Sequence, residues 1–112
     1  MSDLSEARIH QELFTWHWNT YPEHRMQLFM IHNTPKNRID GARLKAMGMV
    51  AGVADLCFLG RDGVTVFLEM KTDIGVQSWD QKRFEEVCKK VGAKYFLVRS
   101  VLEGQELIKK FQ

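Results

Sequence analysis

The sequence predicts an α/β protein: one mixed β-sheet flanked by helices, in the order α-β-(α)-β-β-α-β-α. Three observations carry this. The turn signal Arg61-Asp62-Gly63 separates two apolar stretches and predicts an antiparallel hairpin. A helical pattern after that hairpin leads into the apolar run Tyr95-Phe96-Leu97-Val98, the layout of a helix-to-strand crossover. The N-terminal segment repeats apolar side chains at helical spacing.

The first helix is signalled by the cap-forming residues Ser2, Asp3 and Ser5 and by an apolar face of Ile9, Leu13, Trp16 and Phe14. Glu6, His10, Leu13 and His17 fall on a neighbouring stripe. This helix should end before Pro22. Gln27–His32 reads as a short buried strand, and Gly41–Met47 as a short helix stopped by Gly48. Gly52 leads into a strand over Val53–Leu59, and the hairpin partner is Val64–Lys71. After a loop containing Gly75, Ser78 begins a second long helix with Phe84, Val87, Cys88 and Val91 on its apolar face and Gly92 at its end. A strand within Lys94–Ser100 and a last helix over about Glu103–Phe111 complete the chain.

At 112 residues there is room for one domain, 1–112. Hydrophobic residues make up 45% and charged residues 27%, an ordinary composition for a globular chain, with no low-complexity stretch. A formal net charge of +2 permits nucleic-acid binding without demanding it, so any DNA contact must rest on locally concentrated cations. Cys57 and Cys88 both sit in apolar surroundings and read as buried free thiols. No signal peptide is evident, and no apolar run approaches the ~20 residues of a membrane span. The expected location is the cytoplasm, with no membrane association.

The Val64–Lys71 strand is the most informative segment. Val64, Val66, Leu68 and Met70 share an apolar face that must meet the core; Thr65, Phe67, Glu69 and Lys71 share the other. Taken alone, Glu69 and Lys71 fit a solvent-facing acid–base pair of little energetic weight. Asp55 changes this. It is the single charge in an otherwise apolar segment, Ala51–Leu59, and an unpaired charge there is expensive. The hairpin sets it beside the strand carrying Glu69, and two carboxylates on paired strands make a hard-oxygen site suited to Mg²⁺ or Mn²⁺. Alternatively, Asp55 caps backbone amides after Gly52.

Asp55, thirteen residues, then Glu69-Met70-Lys71 has the form D-x13-E-x-K, which resembles the PD-(D/E)xK nuclease superfamily. The segments around it, Gly41-Ala-Arg-Leu-Lys-Ala-Met-Gly48, Gly52-Val-Ala-Asp55-Leu56, Leu68-Glu-Met-Lys-Thr72 and Ser78-Trp-Asp-Gln81, resemble the VRR-NUC domain family from about Glu6 to Ser100, in its stand-alone bacterial and phage form. The resemblance implies a restriction-endonuclease-like core and Mg²⁺- or Mn²⁺-dependent cleavage of DNA. Asp55 and Glu69 would ligate metal, with the Met70 backbone carbonyl and the first-helix Glu6 as further ligands. Lys71 would orient the attacking water and offset phosphate charge, and Gln81 would support the Lys71 region. Two positions depart from the family. Ala54 stands where Pro is usual, a position that shapes backbone and ligates nothing. His10 stands where Gln is frequent, either as an extra contact or as a surface histidine.

Several candidates have structural readings as well. Ser78 with Gln81 forms a capping box, so Gln81 serves the cap or the site. Glu6 suits a helix's first turn whatever else it does. Lys36, Arg38, Arg43 and Lys45, with Asp40 the only acid among them, form either a solvated surface or a phosphate-contacting patch, to which Asn33 and Asn37 would add neutral contacts. Trp18 lies off the core face of its helix and is a candidate dimer contact. The expected function is a metal-dependent endonuclease, structure-selective for branched DNA such as four-way junctions, acting as a homodimer with two sites. The alternatives are a nicking or restriction-type enzyme on duplex DNA and a non-catalytic DNA-binding module that retains the fold.

Overall fold

The computed structural model describes residues 5–32 and 34–112. Asn33, an expected DNA contact, lies outside the described residues, as do the cap candidates Ser2 and Asp3. The elements follow the predicted order: α1 (Glu6–Thr20), β1 (Leu28–Met30), α2 (Arg38–Ala46), β2 (Leu56–Leu59), β3 (Thr65–Met70), α3 (Trp79–Val91), β4 (Lys94–Val98) and α4 (Val101–Phe111). The strands form one mixed sheet, β1-β2-β3-β4, antiparallel across the first two pairings and parallel between β3 and β4. A single turn of 3-10 helix, Pro22–His24, separates α1 from β1.

Local chemistry fixes the boundaries. The side chains of Ser5, Asn37, Ser78 and Ser100 each accept a backbone N–H from the first turn of the helix that follows, which starts α1, α2, α3 and α4. Asn37 therefore begins α2 earlier than Gly41, and Ser100 begins α4 before Glu103. In the hairpin turn both Asp62 (φ 60°) and Gly63 (φ 76°) are left-handed, a conformation Asp tolerates and Gly adopts freely. β2 is shorter than expected, and Asp55 stands one residue before it rather than within it. There the Asp55 carboxylate accepts the Met70 N–H, at 2.8 Å.

Side-chain alternation divides the sheet into two faces. Under α1 and α4, Leu28, Leu56, Phe58, Val66, Leu68, Met70 and Val98 pack with Ile9, Leu13 and Ile108 into the main core. Gly104 lets α4 approach α1 closely: a Cβ there would lie 2.6 Å from a Leu13 methyl. The opposite face, under α3, holds a smaller cluster of Ala54, Cys88 and Tyr95, with Phe67, Phe84 and Leu97 packed against it. The expected apolar face of α3 needs correction. Phe84 and Cys88 face the sheet, but Val87 and Val91 are exposed. The half-buried side chains of α3 are Gln81, Phe84 and Glu85, which centre its inner face on Gln81 and Cys88, roughly a quarter-turn from the valines. Both cysteines are buried and free. No helix is long and apolar enough to cross a membrane, among the described residues.

Candidate active site

The hairpin register brings the two acids together. The pairing of β2 with β3 ends at Leu56 and Leu68, and extending it by one residue on each side sets Asp55 opposite Glu69. Residues directly opposite on antiparallel strands project to the same side. The thirteen-residue spacing of the motif is thus a consequence of strand pairing, and both carboxylates point to the α3 face. Here that face is covered, not solvated. Glu69 is 3% exposed and Lys71 8%, which overturns the solvent-facing reading of the pair.

Each carboxylate is held by one oxygen. Asp55 Oδ2 accepts from the Met70 backbone N–H, and Glu69 Oε2 accepts from Gln81 Nε2 at 2.9 Å. Glu69 Oε1 is buried and has no hydrogen-bond partner. Burial, and next the neighbouring Asp55 carboxylate, push the Glu69 carboxyl up to about 8, while the Lys71 charge pulls it down. Glu6, on the first turn of α1, adds the smallest upward push, so it stands within electrostatic range. An orphaned buried oxygen is a standing cost unless a proton or a cation meets it.

Gln81 closes the expected capping box and, rather than reaching Lys71, bonds Glu69. Its Oε1 accepts the Ser78 N–H at 2.8 Å, closing the capping box, while its Nε2 reaches Glu69. The amide has two ends and both are used, so the start of α3 is fastened to β3 at Glu69. Gly52 sets the other side of this join. It has φ +87°, and a Cβ on it would lie 2.3 Å from the Asp80 carbonyl oxygen. The loop that delivers Asp55 therefore rests backbone-to-backbone on the first turn of α3, and only glycine permits that approach. Behind the pair, Gln77 bridges Glu85 (3.0 Å) and the Tyr95 hydroxyl (3.4 Å).

The donor set fits a hard divalent ion such as Mg²⁺ or Mn²⁺. Asp55 and Glu69 offer carboxylate oxygens, one of them unpartnered, and the Met70 carbonyl and Glu6 are the further candidates. Among the described residues no three His, Cys, Asp or Glu side chains form a ready ligand group, so other positions would fall to backbone and water, which Mg²⁺ commonly retains.

Two solved structures share this architecture. One, titled "VRR_NUC domain protein", superposes with a TM-score of 0.73 over 98% of this chain and 89% of its own, at 20% identity. The other, titled "VRR_NUC domain", gives a TM-score of 0.59 over 97% of this chain and 100% of its own, at 18% identity. The chain has the VRR_NUC fold. No family model matches the sequence, and no curated protein matches it. The VRR_NUC likeness therefore lies in the path of the backbone.

The cations of the expected DNA patch are divided. Arg38 and Lys45 are seven residues apart on α2 and share a side; with Pro35, Asn37 and Gly41 they line an open groove. Arg43 is turned roughly 140° from Arg38 and bonds Asp40 at 2.8 Å. Asp40 is further engaged by the Lys36 backbone N–H, and both contacts hold its carboxyl below the usual range. Lys36, Arg38 and Lys45 are exposed. Trp18, 40% exposed, stacks on Phe14 and carries Arg25 4.6 Å above its ring.

Pattern reading missed Arg99 and His17. Arg99 fastens the loop after Lys71 through three carbonyls, and isolated arginines carry no such signal. His17 is 1% exposed and bonds Gln112 at 2.9 Å. Its place on the stripe with Leu13 was the available hint.

Proposed function

We propose that this protein is a Mg²⁺- or Mn²⁺-dependent endonuclease that hydrolyses DNA phosphodiester bonds at the Asp55–Glu69–Lys71 site. The observation that carries the reading is buried Glu69, with one orphaned oxygen, beside half-buried Asp55 and two residues from buried Lys71. When bound, a divalent ion would supply charge for the scissile phosphate and lower the pKa of a coordinated water. Asp55 and Glu69 hold that ion, with the Met70 carbonyl and Glu6 as supplementary donors. Gln81 keeps Glu69 in its rotamer by holding Oε2. Lys71, restricted by burial, orients the attacking water and stabilises charge on the phosphate. Lys36, Arg38, Arg43 and Lys45 supply phosphate contacts that position the duplex. Asn33 joins them as a neutral contact.

We further read the substrate as branched DNA, cut by a homodimer with Trp18 at its interface. The described helices and strands are nearly all spent on the core and the Asp55–Glu69 site, and paired incisions across a branch need two sites. Purified protein incubated with supercoiled plasmid and with a four-way junction, in Mg²⁺, Mn²⁺ or chelator, tests both parts. Metal-dependent cutting that disappears in folded Glu69→Ala is the expected result. Retention of activity by that variant removes the assignment, and absence of cutting by the wild type favours a binding module.

A further inference from the structure

The loop after Lys71 carries chemistry that the cleavage site does not use. Its backbone turns at once: the Gly75 N–H donates to the Thr72 carbonyl at 3.2 Å. Arg99 Nη1 then ties the turn down, donating to Thr72 O (2.7 Å), Gly75 O (2.8 Å) and Asp73 O (3.3 Å). The turn folds back onto the catalytic lysine, so that a Cβ on Gly75 would stand 3.5 Å from Lys71 Cδ. On either side of that glycine, Ile74 is 88% exposed and Val76 78% exposed. Single exposed aliphatics are unremarkable on a protein surface. Ile74 sits on a turn already fixed by hydrogen bonds and Val76 directly follows it, on either side of a glycine whose absent side chain leaves room for the lysine stem. Trp79, 68% exposed, follows after Gln77 and Ser78 at the start of α3, with the Arg83 guanidinium 4.8 Å from its ring centre.

Charge separates this segment from the α2 patch. From Thr72 to Asp80 there is no Lys or Arg and there are two acids, Asp73 and Asp80. Its own side chains are therefore unsuited to clamping a phosphate backbone, and beside the acids its most exposed apolar groups are the aliphatic Ile74 and Val76. Besides the thymine methyl of the major groove, the apolar surface nucleic acid offers is the faces of its bases, which are reached where the stack opens. Proteins that open it use short branched or aromatic side chains on a rigid support. Because Arg99 has already ordered the turn, little conformational freedom is lost on insertion.

We propose that Ile74 and Val76 form a wedge that enters the base stack beside the bond cleaved at Lys71. The substrate class is then DNA with a step that is unstacked or easily unstacked. This rests on the DNA-cleavage reading above and refines it.

The test uses Ile74→Ser/Val76→Ser, both at exposed positions, where replacement should leave the thermal melt unchanged. One substrate is a four-way junction with 2-aminopurine at the branch; the other carries a one-nucleotide gap there, already unstacked. In chelator, the wild type should raise 2-aminopurine fluorescence and the double variant should not. With metal, the variant should cut the intact branch about tenfold more slowly and the gapped one at close to the wild-type rate. An undiminished fluorescence rise with the variant, or equal slowing on both substrates, overturns the wedge. A wild-type fluorescence rise without cleavage of either substrate in any metal supports the wedge and counts against the nuclease reading.

Discussion

Under α1 and α4 the sheet is apolar rung after rung, from Phe58 and Val66 through Leu56 and Leu68 to Met70 and Val98, all almost wholly buried. Under α3 the same strands begin alike, with Phe67 and Tyr95 against Phe84 and Cys88, and then change to Asp55, Glu69 and Lys71. The first face maximises burial of carbon. The second encloses charge that has no complete set of partners within the described residues. The contrast teaches that the stability of the domain is concentrated on one side of the sheet, leaving the other side free to hold an unfavourable cluster for use.

The largest expected effects are opposite in kind on the two faces. Lys71→Ala or Asp55→Asn should lower cleavage about a thousandfold or more while leaving the melting temperature nearly unchanged. Leu13→Ala, on the sealed face, should cost about 2–5 kcal/mol of stability by cavity formation, measured by denaturant titration. A comparable loss of stability in Lys71→Ala would erase the contrast.

Gly52→Ala probes the join between the loop and α3. A side chain at a left-handed φ, 2.3 Å from a backbone oxygen, forces the first turn of α3 to move. Divalent-ion affinity, read by calorimetry, should fall by about tenfold, and more steeply than the melting temperature, because Gln81 would release Glu69. Parallel losses would make Gly52 a packing residue only.

Titration should pull the two faces in opposite directions. Glu69 is raised by burial and by Asp55, so between about pH 4.5 and 8 the folded state holds a proton that the unfolded state has lost. Stability of the metal-free protein should therefore decline as pH rises through that window, and Glu69→Gln should flatten the decline. His17, on the sealed face, is lowered chiefly by burial, with His24 adding to the lowering and the Gln112 bond opposing it. Its unfolded form gains a proton first, so stability should fall as pH drops below about 6.5. A melting series in chelator reads both limbs, and a flat profile between about pH 6.5 and 8 in the wild type would contradict the carboxylate pair.

The smallest effect concerns α2. Arg38→Ala/Lys45→Ala should reduce the salt slope of DNA binding by about two, whereas Arg43→Ala, whose charge already meets Asp40, should reduce it by less. Equal slopes would return all the cations to one patch.

The sequence predicted the element order, the mixed sheet and the hairpin because each rests on local periodicity and turn chemistry. The pairing of Asp55 with Glu69 was legible for the same reason, since a tight turn fixes the register on both sides of it. What escaped was set by contacts distant in sequence. Val87 and Val91 fit the helical period of α3, but that helix docks on Cys88 and Gln81, a choice made by the sheet beneath it. Arg99 fastens carbonyls more than twenty residues earlier in the chain, and a carbonyl leaves no trace in the sequence. Gly52 was visible as a glycine, yet the close approach of α3 that demands it was not.

The rung shared by Asp55 and Glu69 also makes the motif's spacing a question of parity. A hairpin lengthens or shortens by whole rungs, two residues at a time, and a slip of one would turn one acid into the sealed core. Proteins with this site should therefore carry an odd number of residues between the two acids. An even count should be accompanied by a bulge or a different turn that restores the facing pair.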